Sequence, residues 1–123
     1  EDPSEALIRE VFEETGLLVH ILQTGQNLGF EYPKQIPSPF TILIEDINDK
    51  EIGKHQHIDM IYFCTVADNQ DSFKDLKAGW FWVQKEHLDK RLLLKNHEGD
   101  LDTPPEDVLI LASHAFEAVN LNL

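Results

Sequence analysis

The segment from Asp2 to Gly16 constrains the fold most, because it carries both the start and the stop signals of a helix. Asp2 is suited to cap the helix, Pro3 is tolerated at the first helical position, and Glu5 completes a capping box. Gly16 is suited to end the helix. These signals predict a helix from about Pro3 to Thr15.

The predicted helix has two distinct faces. At about 100° per residue, an arc of roughly 140° contains only apolar side chains and is the expected core face. A separate arc of about 100° is acidic. The apolar residues are Leu7, Ile8, Val11 and Phe12, and the acidic residues are Glu10, Glu13 and Glu14.

The acidic arc is unfavourable for the helix that carries it. Glu10 forms like-charge pairs with Glu13 and Glu14, each costing roughly 0.2–0.5 kcal/mol. Glu13 and Glu14 also lie in the last turn, where the helix dipole disfavours each anion by ~0.3–1 kcal/mol. Arg9 relieves only part of this cost by pairing with Glu5 or Glu13. A divalent cation would supply the missing charge, and carboxylate oxygens suit Mg²⁺ or Mn²⁺. The pattern alone leaves a metal site and a solvated acidic face as equal alternatives.

Residues Glu1 to Leu17 resemble the box of the Nudix hydrolases, which reads G-x5-E-x7-R-E-U-x-E-E-x-G-U, with U a bulky aliphatic residue. After Glu1 and seven further residues, this sequence reads Arg9-Glu10-Val11-Phe12-Glu13-Glu14-Thr15-Gly16-Leu17. Every fixed position after the opening glycine is matched, which makes the motif specific.

The resemblance implies a Mg²⁺-dependent hydrolase, with Mn²⁺ as a substitute, that cleaves the pyrophosphate bond of a nucleoside diphosphate linked to another moiety. Glu13 and Glu14 would be the primary metal ligands, and Glu10 a third ligand or the general base. Arg9 would orient the glutamates. Glu1 would be an auxiliary ligand, or it would support the ligands without binding the metal itself. The alternative is a regulatory Nudix module that binds a nucleotide without cleaving it. Such modules usually lose box glutamates, whereas this chain keeps them.

Several residues outside the box are further site candidates. In some Nudix subfamilies a glutamate outside the box is the base, and the acidic candidates here are Asp71, Asp75, Glu86 and Glu98. Each of these is by itself more typical of a solvated surface carboxylate. His55, His57 and Asp59 alternate on one strand face, where they could contact phosphate or ribose, help to hold a second metal, or simply form a polar strand end. The candidates for stacking on a base are Phe30 and Tyr32 and, less favoured, Trp80, Phe81 and Trp82.

The rest of the chain predicts an α/β fold with a largely antiparallel or mixed sheet between helices, and the resemblance implies the α/β/α sandwich of Nudix proteins. The expected strands are Leu17–Gln23, Phe40–Glu45, His57–Val66 and Trp80–Val83, the second and third joined in a hairpin through 46–53. Loops are expected at 24–38 and 68–79. Thr103-Pro104-Pro105-Glu106 predicts a second capping box that opens a helix to about Val119. Residues 1–123 form one predicted domain.

Charge and cysteine content limit the partners. Lys and Arg number 10 and Asp and Glu 23, for a net charge of −13. Such a surface repels nucleic acids and anionic membranes, and an anionic substrate would need a cation between it and the protein. The small nucleotide partner, bound through Mg²⁺, is what the Nudix resemblance implies. The single cysteine, Cys64, excludes an intrachain disulfide and fits a reducing, cytoplasmic compartment. Its apolar neighbours predict a buried structural thiol.

The beginning of the chain departs from the family pattern, because the G-x5 of the box has no counterpart before Glu1. His57–Val66 is apolar on both faces, which predicts a central strand with neighbours on each side. We therefore expect the native polypeptide to continue upstream with G-x5 and at least one apolar strand. An exposed sheet edge beside the first helix, or a second chain covering it as in a homodimer, is the expected consequence.

Overall fold

The computed structural model describes residues 1–121 and confirms the α/β class. Within this range the strands form three two-stranded antiparallel ladders, β1 with β4, β2 with β3 and β5 with β6. The elements in chain order are α1 (Pro3–Thr15), β1 (Val19–Ile21), β2 (Thr41–Asp49), β3 (Gly53–Ile61), β4 (Cys64–Val66), α2 (Lys85–Asp89), β5 (Leu94–Lys95), β6 (Leu101–Asp102) and α3 (Glu106–Leu121). The chain divides into two compact units, one from Glu1 to Lys77 and one beginning at Ala78.

Helix α1 has the predicted bounds and the predicted caps. The Asp2 carboxylate accepts hydrogen bonds from the backbone N–H groups of Ser4 and Glu5, at 2.9 and 3.0 Å, and the Glu5 carboxylate accepts from the Asp2 N–H. At the other end, Gly16 adopts φ 81° and donates its N–H to the Phe12 carbonyl at 2.8 Å. The capping box and the terminating glycine are therefore confirmed.

The β2–β3 hairpin is longer than predicted. Its strands pair from Thr41 opposite Ile61 to Asp49 opposite Gly53. The Asp49 carboxylate closes the turn by accepting from two backbone N–H groups, those of Glu51 and Ile52. These bonds hold the pKa of Asp49 below its usual value.

The prediction of one covered central strand at His57–Val66 is wrong. The segment divides at Tyr62 and Phe63 into β3 and β4, and the two strands pair with different partners. One face of the hairpin is exposed and apolar, since Ile58 is 69% exposed. Its other members are Ile42, Ile44 and Met60. Apolar side chains on two faces predicted burial, but in the described residues β2 is the sole strand beside β3.

The core of the first unit is small. Leu17, Phe63 and Ala67 are its buried apolar residues within the described chain, and the Phe63 ring packs against Phe40 at a centroid distance of 4.5 Å. Cys64 is half-buried, and burial raises the pKa of its thiol to about 11, so the thiol stays protonated near neutral pH. An inert, protonated thiol agrees with the predicted structural role.

Two predictions for the second unit are wrong. Trp80–Val83 is not a strand, because within the described residues it joins no ladder. The capping box at Thr103 is also not formed, and α3 begins at Glu106. The Glu106 carboxylate instead accepts two hydrogen bonds from Arg91, and the Thr103 N–H donates to Asp102. None of the helices in residues 1–121 has the length and apolar character needed to cross a membrane.

Candidate active site

Arg9 gathers three acidic side chains around one guanidinium group. Its Nε and Nη2 donate to the two carboxylate oxygens of Glu1, both at 2.8 Å, and its Nη1 donates to Glu13 at 3.0 Å. The nearest Glu10 oxygen lies 3.5 Å from Nη2. The hydrogen bonds from Arg9 lower the pKa of Glu1, and the hydrogen bonds to Glu1 and Glu13 raise the pKa of Arg9. Of the two predicted pairings of Arg9, the structure contains the one with Glu13.

Glu14 differs from the other box glutamates. It is exposed, and no described residue gives its carboxylate a hydrogen bond or an ion pair. Glu10, Glu13 and Glu14 share one helix, but their ligand atoms are not all within 4.8 Å of one another. Arg9 holds Glu10 and Glu13, whereas the Glu14 carboxylate remains available to a ligand from solution.

The end of α1 is fixed by residues that the sequence reasoning did not identify. The Lys77 ammonium donates to the Glu13 carbonyl at 2.6 Å, and the Lys77 N–H donates to the Thr15 carbonyl at 2.8 Å. A cation at this end offsets part of the dipole cost of the glutamates. Gly16 lies so close to the same segment that a Cβ atom would stand 2.6 Å from the Asp75 carbonyl oxygen. The sequence offered no local signal for Lys77, since it lies 64 residues from Glu13.

The long loop 24–38 lies against the start of α1, the box helix, which carries the Nudix-like motif. Lys34 places its ammonium 3.2 Å from the Asp2 carboxylate and 3.7 Å from that of Glu5. Beside it is a cavity of about 280 Å³, to which both Phe30 and Lys34 contribute. Tyr32 does not line this cavity and is 90% exposed. The loop therefore places one of its two predicted stacking residues at a concave surface.

The acidic residues considered as bases occupy different environments. Asp71 accepts from the N–H groups of Phe73 and Lys74, which lowers its pKa and makes it a weaker base. Asp75 accepts from the Asp71 N–H at 2.9 Å. Glu86 lies on α2, and Glu98 lies in the turn between β5 and β6, 3.7 Å from His97. Asp71 and Asp75 therefore stabilise the turn in which they lie.

The polar face of the hairpin brings together residues from both strands. His57 stands directly opposite Glu45 in the ladder, and Asp59 follows two residues later on the same face. One ligand atom from each of these three residues lies within 4.8 Å of the other two. Sequence reasoning grouped His57 and Asp59 but missed Glu45, which only the register of the hairpin identifies.

The family of this chain is identified by comparison with protein-family models. A family model described as NUDIX domain matches residues 1–105, which is most of the chain. The chain belongs to the Nudix family. The matched segment begins with the box on α1 and continues through β6 to Pro105. Comparison with curated proteins and with solved structures gives no match.

The Nudix box residues have the chemistry that a hard divalent cation requires. Glu10 and Glu13 are more than half exposed, and both offer only oxygen donors. Mg²⁺ keeps several waters and usually binds one or two carboxylates directly, so the glutamates do not need to form a closed cage. The donor set of this helix face therefore fits Mg²⁺ or Mn²⁺.

Proposed function

We propose that this Nudix protein hydrolyses the pyrophosphate bond of a nucleoside diphosphate linked to another moiety, in a reaction that requires Mg²⁺ or Mn²⁺. The family match supports a hydrolase in general. The observation that carries the proposal is the arrangement around Arg9, which holds Glu1, Glu10 and Glu13, while Glu14 has no partner among the described residues. A net charge of −13 disfavours nucleic acids and anionic membranes as partners, and the proposed anionic substrate is bound through the cation.

Each box residue has a proposed role in this reaction. Glu13 and Glu14 bind the metal, and Glu10 either joins them or removes a proton from the attacking water. Arg9 positions Glu10 and Glu13, while Glu1 holds the guanidinium from the other side through two hydrogen bonds. The bound cation neutralises the charge that develops on phosphate oxygens and lowers the pKa of bound water.

The cavity beside Phe30 and Lys34 is the proposed place for part of the substrate outside the pyrophosphate. Its volume of about 280 Å³ is near the lower end of ligand pockets, which begin at roughly 300 Å³. Phe30 offers an aromatic face to a base, and the Lys34 ammonium is suited to an anionic group. The contact between Lys34 and Asp2 joins this loop to the box helix.

The decisive experiment is to incubate the protein with a panel of nucleoside diphosphate derivatives and Mg²⁺ and to identify the products. The panel contains nucleoside triphosphates, nucleotide sugars and dinucleoside polyphosphates. We expect at least one compound to be cleaved within the pyrophosphate, with no cleavage in excess chelator. Full activity in excess chelator would contradict the metal requirement.

A matched control distinguishes the loss of a box carboxylate from the loss of one negative charge elsewhere on the protein. Glu14→Gln should reduce the cleavage by orders of magnitude, whereas Glu117→Gln, at an exposed position of α3, should leave it unchanged. Tight binding of a nucleotide without turnover under all metal conditions would instead support a regulatory Nudix module. The proposed cytoplasmic location is tested separately, by fractionation of the producing cells.

A further inference from the structure

The polar face of the β2–β3 hairpin carries a second cluster of metal-ligating side chains. Antiparallel pairing places Glu45 directly opposite His57, and Asp59 is diagonal to Glu45 on the same face. A nitrogen of His57 and one oxygen from each carboxylate lie within 4.8 Å of one another. The cluster is built by strand register, and within the described residues it shares no hydrogen bond or ion pair with the box helix.

The two carboxylates in this cluster have no cationic partner in residues 1–121. Neither Glu45 nor Asp59 forms an ion pair with any described residue, although their oxygens lie close together. Asp59 is also partly buried, which reduces the access of water to its charge. Two adjacent anions of this kind are stabilised by a cation, and no lysine or arginine of the described chain pairs with them.

His55 orients the imidazole of His57. The Nδ1 of His55 lies 3.0 Å from the Gly53 carbonyl oxygen, which can only accept, so that nitrogen carries a proton. In neutral His55 the Nε2 is then an acceptor, and it lies 3.3 Å from the Nε2 of His57. Neutral His57 therefore donates from Nε2 and has its lone pair on Nδ1. A histidine ligand whose other nitrogen is held by a hydrogen bond is typical of metal sites.

We propose that Glu45, His57 and Asp59 bind a divalent transition-metal ion, with Zn²⁺ as the representative ion, at a site separate from the Nudix box. One imidazole and two carboxylates form a mixed nitrogen and oxygen donor set, which suits Zn²⁺, Mn²⁺ or Co²⁺ better than Mg²⁺. Three protein ligands leave a fourth position for water or an anion. Modest side-chain rotations bring the donors to bonding distance, because Glu45 and His57 are exposed. The proposal does not depend on pyrophosphate hydrolysis.

The test is a titration of the metal-free protein with Co²⁺ alone, followed by visible absorption, and with Zn²⁺ in competition. We expect one equivalent of Co²⁺ to give the absorption of a low-symmetry site, Zn²⁺ to displace it, and a large excess of Mg²⁺ to leave it in place. His57→Gln and Glu45→Gln should each weaken Co²⁺ binding at least about tenfold, since even loss of a supporting group costs about 10–100-fold. Circular dichroism of each variant monitors the fold.

Two control variants distinguish this site from the box. Asp46→Asn lies on the opposite face of the hairpin and should bind Co²⁺ as the parent does. The double variant Glu13→Gln and Glu14→Gln should also keep the Co²⁺ signal, although it loses the proposed hydrolysis. Unchanged Co²⁺ binding by folded His57→Gln would overturn the proposal. Loss of the signal in the box variant, or absence of a signal in the parent, would overturn it too.

Discussion

The glutamates of the box helix have different surroundings although they carry the same charge. Glu13 is paired with Arg9 at 3.0 Å, whereas Glu14 has no partner among the described residues. Both are in the last turn, where the helix dipole disfavours an anion. Removal of the charge at Glu14 therefore relieves an unfavourable interaction without breaking a favourable one.

Glu14→Gln is expected to reduce turnover by orders of magnitude while raising the free energy of unfolding by ~0.3–1 kcal/mol, the usual cost of an anion at this end of a helix. Glu13→Gln should reduce turnover equally but leave stability nearly unchanged, because loss of the ion pair with Arg9 offsets relief of the unfavourable helix dipole interaction. Thermal melts and initial rates test both. A much lower melting temperature for folded, metal-free Glu14→Gln would identify a structural group instead of a catalytic one.

Gly16 is the second residue for which a single substitution is informative. Its φ of 81° disfavours any side chain, and a Cβ atom would lie 2.6 Å from the Asp75 carbonyl oxygen. Gly29 has a similar φ of 77°, but a Cβ atom there meets nothing within 4 Å. Gly29→Ala should cost about 1–2 kcal/mol from backbone strain alone. Gly16→Ala should cost clearly more, as measured by chemical denaturation, and equal losses would show that the close approach is relieved without cost.

At the scale of the element, helix α1 is defined at both ends by side chains from outside its helical turns. Asp2 accepts backbone N–H bonds at the start, and Lys77 donates to the Glu13 carbonyl at the end. Both contacts place the charge that the helix dipole favours at that end. The helix that carries the glutamates is thus held in place by contacts within the protein.

The charge of Asp2 makes the stability of this helix depend on pH. Hydrogen bonds from Ser4, then from the Glu5 N–H and Lys34, hold the pKa of Asp2 well below its usual value of about 4. A lowered folded-state pKa contributes stability above the unfolded-state pKa, and this contribution is lost as the pH falls through the folded-state pKa. Asp2→Asn keeps a capping side chain without the charge. It should melt lower than the parent at pH 7, and the difference should shrink below about pH 4. A difference independent of pH would contradict the assignment.

Lys77→Met tests the contact at the other end of the helix. It removes a charge-assisted hydrogen bond and a cation near the negative end of the dipole, with an expected loss of about 1 kcal/mol. Lys74→Met is the matched control, because the exposed Lys74 side chain forms no hydrogen bond or ion pair with a described residue. Denaturant titration of both variants measures the difference. Equal stabilities would show that the Lys77 contact contributes nothing.

The elements that could be predicted from sequence are those whose signals are local. Helix α1 was predicted to the residue because Asp2, Glu5 and Gly16 act on their own turns. The capping box at Thr103 failed because Arg91, 15 residues from Glu106, binds the carboxylate that would have closed it. The strand expected at Trp80–Val83 failed because a strand also needs a partner strand, which its own residues do not specify. Glu45 and Lys77 were missed for the same reason, since both act across long sequence separations.

At the scale of the whole molecule, acidic residues outnumber basic ones by 23 to 10. The resulting charge of −13 disfavours the compact state through self-repulsion and disfavours the approach of a phosphate compound. A divalent cation at the proposed box site would offset part of the negative charge at the place where a substrate has to bind. Metal binding should therefore affect both the stability of the molecule and its encounter with substrate.

Mg²⁺ is accordingly expected to stabilise the folded protein more than NaCl does at equal ionic strength. Saturating a site at about 100 times its Kd adds about 2.7 kcal/mol to the free energy of unfolding, provided that the unfolded chain does not bind. The variant with Glu10, Glu13 and Glu14 all changed to Gln should lose this increment but keep the general effect of salt. Because that variant also lacks the mutual repulsion of the three carboxylates, it should melt higher than the metal-free parent. Calorimetric scans with and without Mg²⁺ measure both effects. An equal rise in melting temperature for the parent and the triple variant would place the Mg²⁺ elsewhere on the acidic surface.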